Sequence, residues 1–271
     1  MSLSPGQLSA WLPAVMAIAD QAGREIMRIY EAGFSVTLKD DGSPRTEADL
    51  AAQRVIDAGL RNLTPQWPML GEESLPDAFA QRRAWHTLWL VDPLDGTREF
   101  VKRNGEFSVN IALVEDGEPV LGVVLAPARS VLYAAARGGG AFRRDADGAR
   151  TPIHVRLPAS QPLRVLGSRS YGDALLDRVL QGLGPQVRIS LGSALKFGLL
   201  AEGGGDLYVR RGPTSEWDTA AGQAVVLEAG GSVVDLSGRP LRYNVREDLT
   251  NPSFMAYGDR TRDWVALLSG L

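Results

Sequence analysis

The chain has 271 residues, 44% hydrophobic and 23% charged, with 29 basic against 32 acidic residues and a net charge of −3. This is the composition of an ordinary globular protein, long enough for one large domain or two compact halves, and its charge argues against a surface that binds nucleic acid through a bulk positive field. With no cysteines and only His86 and His154, disulfides, thiolate nucleophiles, zinc–cysteine sites and multi-histidine metal centres are excluded, and chemistry falls to carboxylates, hydroxyls and hard metal ions.

No basic region followed by an apolar run opens the chain, and no apolar stretch reaches the length of a spanning helix. The expected location is cytoplasmic, with peripheral association at the inner face of the membrane left open. The first element is a helix over residues 8–30, where Leu8, Trp11, Leu12, Val15, Ile18, Ala19, Ala22, Ile26 and Ile29 recur at helical spacing. A turn cluster at 39–44 separates it from a second helix over 47–63, carried by Leu50, Val55, Ile56, Leu60 and Leu63. The pattern then changes to a buried strand over 87–91, stopping at the turn Asp92-Pro93-Leu94-Asp95-Gly96-Thr97. Strands over 107–114, 120–125 and 131–136 continue as an antiparallel meander, with Asp116-Gly117 as a hairpin turn and Gly138-Gly139-Gly140 closing it. The second half alternates: strand 163–166, helices 174–183 and 194–201, strand 207–209, helix 217–229, strands 232–234 and 254–257, and a terminal helix over 264–268. Such alternation implies a layered α/β unit. The chain divides into an N-terminal α+β half, 1–155, and a C-terminal α/β half, 156–271, joined near Pro152 to Pro162.

Carboxylates gather beside the turns. Glu72 and Glu73 follow Gly71, Asp92 and Asp95 flank Pro93, and Asp218 opens a helix. Mg²⁺ takes a few carboxylates plus water and substrate phosphate, and Asp92-x-x-Asp95 with the Leu94 carbonyl suits it. Each signal has a plainer reading. Asp, Pro and Gly are ordinary turn residues, and Thr46-Glu47-Ala48-Asp49 is a variant of the capping box. Asp218 reads equally as a helix N-terminal anion. Trp67, Trp85, Trp89 and Trp217 read as packing residues, and His86 and His154 as surface residues.

The order of the pieces is more specific than any one of them. Gly71-Glu72-Glu73-Ser74, then Trp89-Leu90-Val91-Asp92-Pro93-Leu94-Asp95-Gly96-Thr97, then Trp217-Asp218-Thr219-Ala220-Ala221, resembles the inositol monophosphatase-like superfamily. These are Mg²⁺-dependent, Li⁺-sensitive phosphatases built as an αβαβα sandwich, and the resemblance covers nearly the whole chain. Three stretches, at 102–113, 192–197 and 208–214, look like its bacterial CysQ-type 3′(2′),5′-bisphosphate nucleotidase branch. Members of that branch hydrolyse adenosine 3′,5′-bisphosphate, a by-product of sulfate assimilation, to AMP and phosphate.

The resemblance implies a site. Glu72, Asp92 and the Leu94 carbonyl would hold one Mg²⁺. Asp92, Asp95 and Asp218 would hold a second, and a third would lean on Glu72 and Glu73. Li⁺ would inhibit. Asp49 and Thr97 would orient and deprotonate the attacking water, since a threonine hydroxyl bonded to a carboxylate can relay a proton. Leu94, Asp95, Gly96, Thr97 and Asp218 would surround the phosphate. Ser168, Ser193 and Lys196 match nucleotide contacts, and Tyr171 stands where relatives commonly carry a histidine. The expected partner is a small nucleotide bisphosphate, without nucleic acid and without a transmembrane segment, bound by a monomer or homodimer. Two rivals remain: an inositol or fructose 1,6-bisphosphate phosphatase of the same superfamily, and a non-catalytic nucleotide-binding protein that kept the fold.

Overall fold

In the computed structural model, which describes residues 2–39, 42–74, 77–169 and 174–270, helix α1 (Pro5–Ala32) opens on a capping box in which Ser4 and Gln7 satisfy each other's backbone N–H groups. A small antiparallel hairpin follows, β1 (Val36–Leu38) and β2 (Pro44–Thr46). The expected turn at 39–44 sits at its tip, with Asp40 and Asp41 outside the described residues. Helix α2 (Glu47–Leu63) then starts from a second capping box, Thr46 with Asp49.

The next strands form one sheet in chain order: β3 (Met69–Gly71), β4 (Thr87–Asp95), β5 (Ser108–Glu115), β6 (Glu118–Ala126), β7 (Val131–Ala136), β8 (Ala141–Arg144) and β9 (Arg150–Ile153). Short helices α3 (Phe79–Arg82) and α4 (Thr97–Val101) flank β4. Only the β3–β4 pair is parallel. After β9 come β10 (Leu163–Ser168), α5 (Ala174–Gln181), β11 (Gln186–Leu191), α6 (Leu195–Ala201), β12 (Leu207–Arg210), α7 (Glu216–Glu228), β13 (Ser232–Asp235), β14 (Phe254–Tyr257) and α8 (Trp264–Leu267). Their strands make a second sheet in the order β11-β10-β12-β14-β13, parallel as far as β12 and antiparallel beyond it.

Side chains alternate across a strand, and β4 shows what that builds. Trp89 and Val91 face α1 and α2, while Leu88 and Leu90 face the opposite way, into a core shared with α6, α7 and the second sheet. The outer face of that second sheet packs on α5 and α8 through Val165, Val209, Leu176 and Trp264. The layers therefore run helix, sheet, helix, sheet, helix, the αβαβα order expected. Because β4 to β7 are buried on both faces, their sequences are almost continuously apolar. The middle layer is tight. At Gly122 in β6 a Cβ would lie 2.3 Å from the Ala221 carbonyl of α7, so only glycine allows this approach.

Two expectations are corrected. The strand expected to stop at Val91 continues to Asp95, so the Asp-Pro-Leu-Asp segment is irregular strand rather than a terminal turn. Gly138-Gly139-Gly140 does not close the first sheet; it turns the chain into β8, and β9 completes the edge. The edge strand β9 carries Arg150 and Pro152, as exposed edges do, and β8 inside it carries Arg143 and Arg144, which removes the apolar alternation a sequence reading depends on. The same is true of β11, mostly exposed and also unanticipated.

Candidate active site

The irregularity in β4 builds the centre of the site. Asp92 pairs with Asn110 and Asp95 with Ser108, so β4 holds one residue more than its partner over this stretch. That is a β-bulge, which re-aims side chains, and Pro93, with no N–H to donate, is tolerated there. Gly96 then turns with a φ of +87°, where a Cβ would come within 3.1 Å of the Glu106 carbonyl, and delivers Thr97 to the start of α4. Glu72 comes from the neighbouring strand end. Its N–H reaches the Val91 carbonyl at 3.3 Å, an approach that requires Gly71, whose Cβ would lie 2.6 Å from that oxygen. Asp218 comes from the first turn of α7, where it accepts from Ser215 N at 2.7 Å in a third capping box.

The result is a knot of acid. Carboxylate oxygens of Asp92, Asp95 and Asp218 lie within 4.8 Å of one another. Burial, then the charges of Glu72, Asp95 and Asp218, push Asp92 well above the usual carboxylate range. Burial and Asp95 do the same to Asp218. Asp95 is raised less, because Lys196 and the N–H of Ala194 at 2.6 Å favour its charge. Glu72 is raised by burial and partly relieved by Lys39, whose Nζ stands 2.6 Å away. The donor set is entirely oxygen, rich in carboxylates at close quarters, and so fits a hard divalent cation.

Asp49 stands behind this cluster, fully buried. Its Oδ2 accepts from Thr46 N at 2.8 Å and Thr46 Oγ1 at 2.7 Å, leaving Oδ1 to Thr97 Oγ1 at 3.3 Å. The same hydroxyl lies 3.3 Å from the Leu94 carbonyl. Burial raises the Asp49 carboxyl to about 6 despite the Thr46 bonds. The capping-box reading of Asp49 is therefore correct, and the same placement also puts its second oxygen on Thr97.

A cleft of about 270 Å³ joins these residues to the second sheet. Glu72, Asp92, Leu94, Asp95, Gly96, Thr97, Ser168, Ser193, Lys196 and Asp218 all line it. Lys196 is buried, with Nζ donating to Leu191 O at 3.1 Å and Ser193 O at 2.6 Å and lying over the Tyr208 ring. Burial lowers its ammonium to about 8. Glu73 does not join the cluster; Lys39 Nζ engages it and Arg45 approaches at 3.6 Å. Tyr171 lies outside the described residues. His86 and His154 are exposed, as expected, and Trp89 is buried in the core, but Trp217 lines the cleft besides packing. Sequence reasoning missed Lys39, Glu99 and Arg210, which border the acid cluster or the cleft. Lys39 and Arg210 are brought in by distant segments, whereas Glu99 stands two residues beyond Thr97 in α4.

Each raised carboxyl binds its proton more tightly folded than unfolded. Stability from this source is complete below the unfolded pKa near 4 and is lost as pH rises through the folded values, about 6 for Asp49 and about 7 for Glu216. Opposing groups act elsewhere: Glu106 and Asp259 are lowered and matter in acid, and Lys196 acts above about pH 8. Cation-free protein is expected to melt lower at about pH 8 than at about pH 5, with Mg²⁺ restoring stability at the higher pH. A cation-free melting temperature that climbs over this interval contradicts the expectation.

Comparison with known proteins agrees with this architecture. The profile of the Inositol monophosphatase family matches residues 7–261. The 3′(2′),5′-bisphosphate nucleotidase CysQ of Escherichia coli (strain K12) is 51% identical over 245 residues, covering 90% of this chain and 98% of that protein. The protein of the same name from Haemophilus influenzae is 38% identical over 254 residues, covering 93% and 94%. Among solved structures, CysQ from Bacteroides thetaiotaomicron superposes with a TM-score of 0.78 at 39% identity, covering 93% of this chain and 98% of that one. The inositol monophosphatase of Anabaena gives 0.77 at 26% identity, covering 97% of each.

Proposed function

Because this chain belongs to the inositol monophosphatase family, we propose that it is a Mg²⁺-dependent 3′(2′),5′-bisphosphate nucleotidase that converts adenosine 3′,5′-bisphosphate to AMP and phosphate in sulfur assimilation. The observation that carries the reading is the crowding of Asp92, Asp95 and Asp218 in a cleft that Ser168, Ser193 and Lys196 also line. The donors suit two ions: Glu72, Asp92 and the Leu94 carbonyl would hold one, and Asp92, Asp95 and Asp218 would hold a second. Once bound, such ions neutralise charge on the phosphoryl oxygens and the leaving 3′-oxygen and acidify the attacking water. The engagement of Glu73 by Lys39 favours two ions over three.

The chain's own contribution is positional and basic. Asp49, held by Thr46, is largely ionised at neutral pH and accepts the Thr97 hydroxyl. Thr97 Oγ1 takes a proton from the water as its own passes to Asp49 Oδ1, so a weak hydroxyl acts as a relay. Attack is in line on the 3′-phosphorus, and no side chain is needed as a covalent nucleophile. Ser168, Ser193 and Lys196 would hold the nucleoside end. No helix among the described residues is long and apolar enough to cross a membrane, which accords with a cytoplasmic enzyme.

The test is phosphate release with Mg²⁺ from adenosine 3′,5′-bisphosphate, inositol 1-phosphate and fructose 1,6-bisphosphate side by side, with and without millimolar Li⁺. Preference for the nucleotide and inhibition by Li⁺ are expected. Preference for a sugar phosphate moves the substrate to another branch while keeping the metal site. Release from none of them overturns the enzymatic reading.

A further inference from the structure

We propose that Glu106, which bonds to none of the clustered carboxylates, is a positioning residue that sets specificity for the nucleoside end of the substrate; this rests on the nucleotidase reading above. Glu106 lies just ahead of β5 and is buried. Its Oε2 accepts from Gly192 N at 2.8 Å and from Arg169 Nε at 2.6 Å. Its Oε1 accepts from Arg169 NH2 at 2.8 Å and from Arg129 NH2 at 3.0 Å. The two guanidinium groups hold the buried carboxyl below its usual range, so it is ionised and its oxygens are engaged from both halves of the chain. None of these bonds goes to Glu72, Asp92, Asp95 or Asp218.

What the carboxylate holds is the turn between β11 and α6. Asp95 Oδ2 accepts from Ala194 N at 2.6 Å, so two carboxylates from the first sheet grip the N–H groups on either side of Ser193. Ser193 itself has a φ of +48°, a left-handed conformation costly to a residue with a side chain. Its neighbour Gly192 is pressed against Glu106, with a Cβ there only 2.5 Å from the Glu106 carbonyl. The Ser193 carbonyl in turn receives Lys196 Nζ at 2.6 Å. The line of restraint therefore runs from Glu106 through Gly192 and Ser193 to Lys196. A second line runs through Arg169, next to Ser168, which also donates to Ser190 O at 3.0 Å. Gly192, Ser193 and Lys196 line the cleft with Ser168, and the bond from Ala194 N to Asp95 remains to hold this turn against the acid cluster. Without Glu106, Gly192 N–H loses its acceptor and Ser193 is free to leave its strained conformation.

The test separates recognition of the nucleoside from turnover of the phosphate. In Glu106→Ala, KM for adenosine 3′,5′-bisphosphate is expected to rise about tenfold or more, with kcat changed by less than about threefold. KM for p-nitrophenyl phosphate, which has no nucleoside, should move by less than about threefold. Glu106→Gln keeps an oxygen for Gly192 N and is expected to recover most of the nucleotide KM. An equal loss on both substrates, or an unchanged nucleotide KM, overturns the proposal. If Glu106→Ala does not fold, the double variant Arg129→Gln/Arg169→Gln, at two half-exposed arginines, carries the same test: a severalfold rise in nucleotide KM supports the proposal and no rise overturns it. Wild type lacking nucleotide preference overturns the functional reading and this proposal together, whereas a wild-type preference that Glu106→Ala leaves intact overturns the proposal alone.

Discussion

Asp92→Asn is expected to leave a folded protein that releases phosphate at least about a thousandfold more slowly, even at saturating Mg²⁺. The reasoning starts from its neighbours. The charges bearing on Asp92 are those of Glu72, Asp95 and Asp218, all carboxylates, so its own negative charge is useful only when a cation shares the space. The asparagine amide keeps an oxygen for Leu94 N, which Asp92 Oδ1 accepts at 3.0 Å, and the bulge should survive. What would be lost is the carboxylate that the proposed two-ion arrangement shares between its ions. Removing a buried, mutually repelling charge also stabilises the cation-free fold. The variant should therefore melt above wild type without divalent ions and gain less when Mg²⁺ is added. Activity within about tenfold of wild type, or a lower cation-free melting temperature, contradicts a shared ligand at this position.

Asp49→Asn is the second large effect, a loss of about 10²- to 10⁴-fold in kcat, the usual scale for removing a general base. The side chain is fully buried, and its oxygens serve Thr46 on one side and Thr97 on the other. An amide must keep its oxygen toward Thr46 N, which turns its NH₂ toward Thr97. The hydroxyl then accepts where it donated, and the relay runs nowhere. Wild-type activity should fall in acid as Asp49, at about 6, takes up its proton, and this limb should vanish from the residual activity of the variant. Thr97→Ser should retain most activity, because it keeps the hydroxyl. If the Asn variant matches wild type, Asp49 is a helix cap alone.

How much of this was legible follows from where each signal resides. Helix α2 was readable to its ends, because its cap at Thr46 and its apolar spacing are local. The acid cluster was readable as a set, because Asp92, Asp95 and Asp218 stand in a characteristic order along the chain. The bulge was not, since Asp, Pro and Gly serve a terminal turn and a bulged strand equally. Strands β9 and β11 were hidden because exposed edges need no apolar alternation, and β8 because it is only four residues long and ends in Arg143-Arg144. Lys39 beside Glu72, and Glu106 under Gly192, were beyond reach for a different reason: each pairs segments that only the folded layers bring together.

The middle helical layer has a consequence for the order of synthesis. The first sheet is complete once Ile153 has been made, but the face bearing Leu88, Leu90, Ala112, Val114, Val124 and Tyr133 is covered by α6, α7 and the second sheet, all encoded later. A ribosome-bound chain of that length would show solvent a broad apolar surface, the kind that recruits holding chaperones or seeds aggregation. It would also lack Asp218. Docking of α7, with Gly122 against Ala221, supplies part of that cover and brings Asp218 to the acid cluster in the same step. A chain ending before Glu216 therefore lacks both a part of its core and a member of its acid cluster.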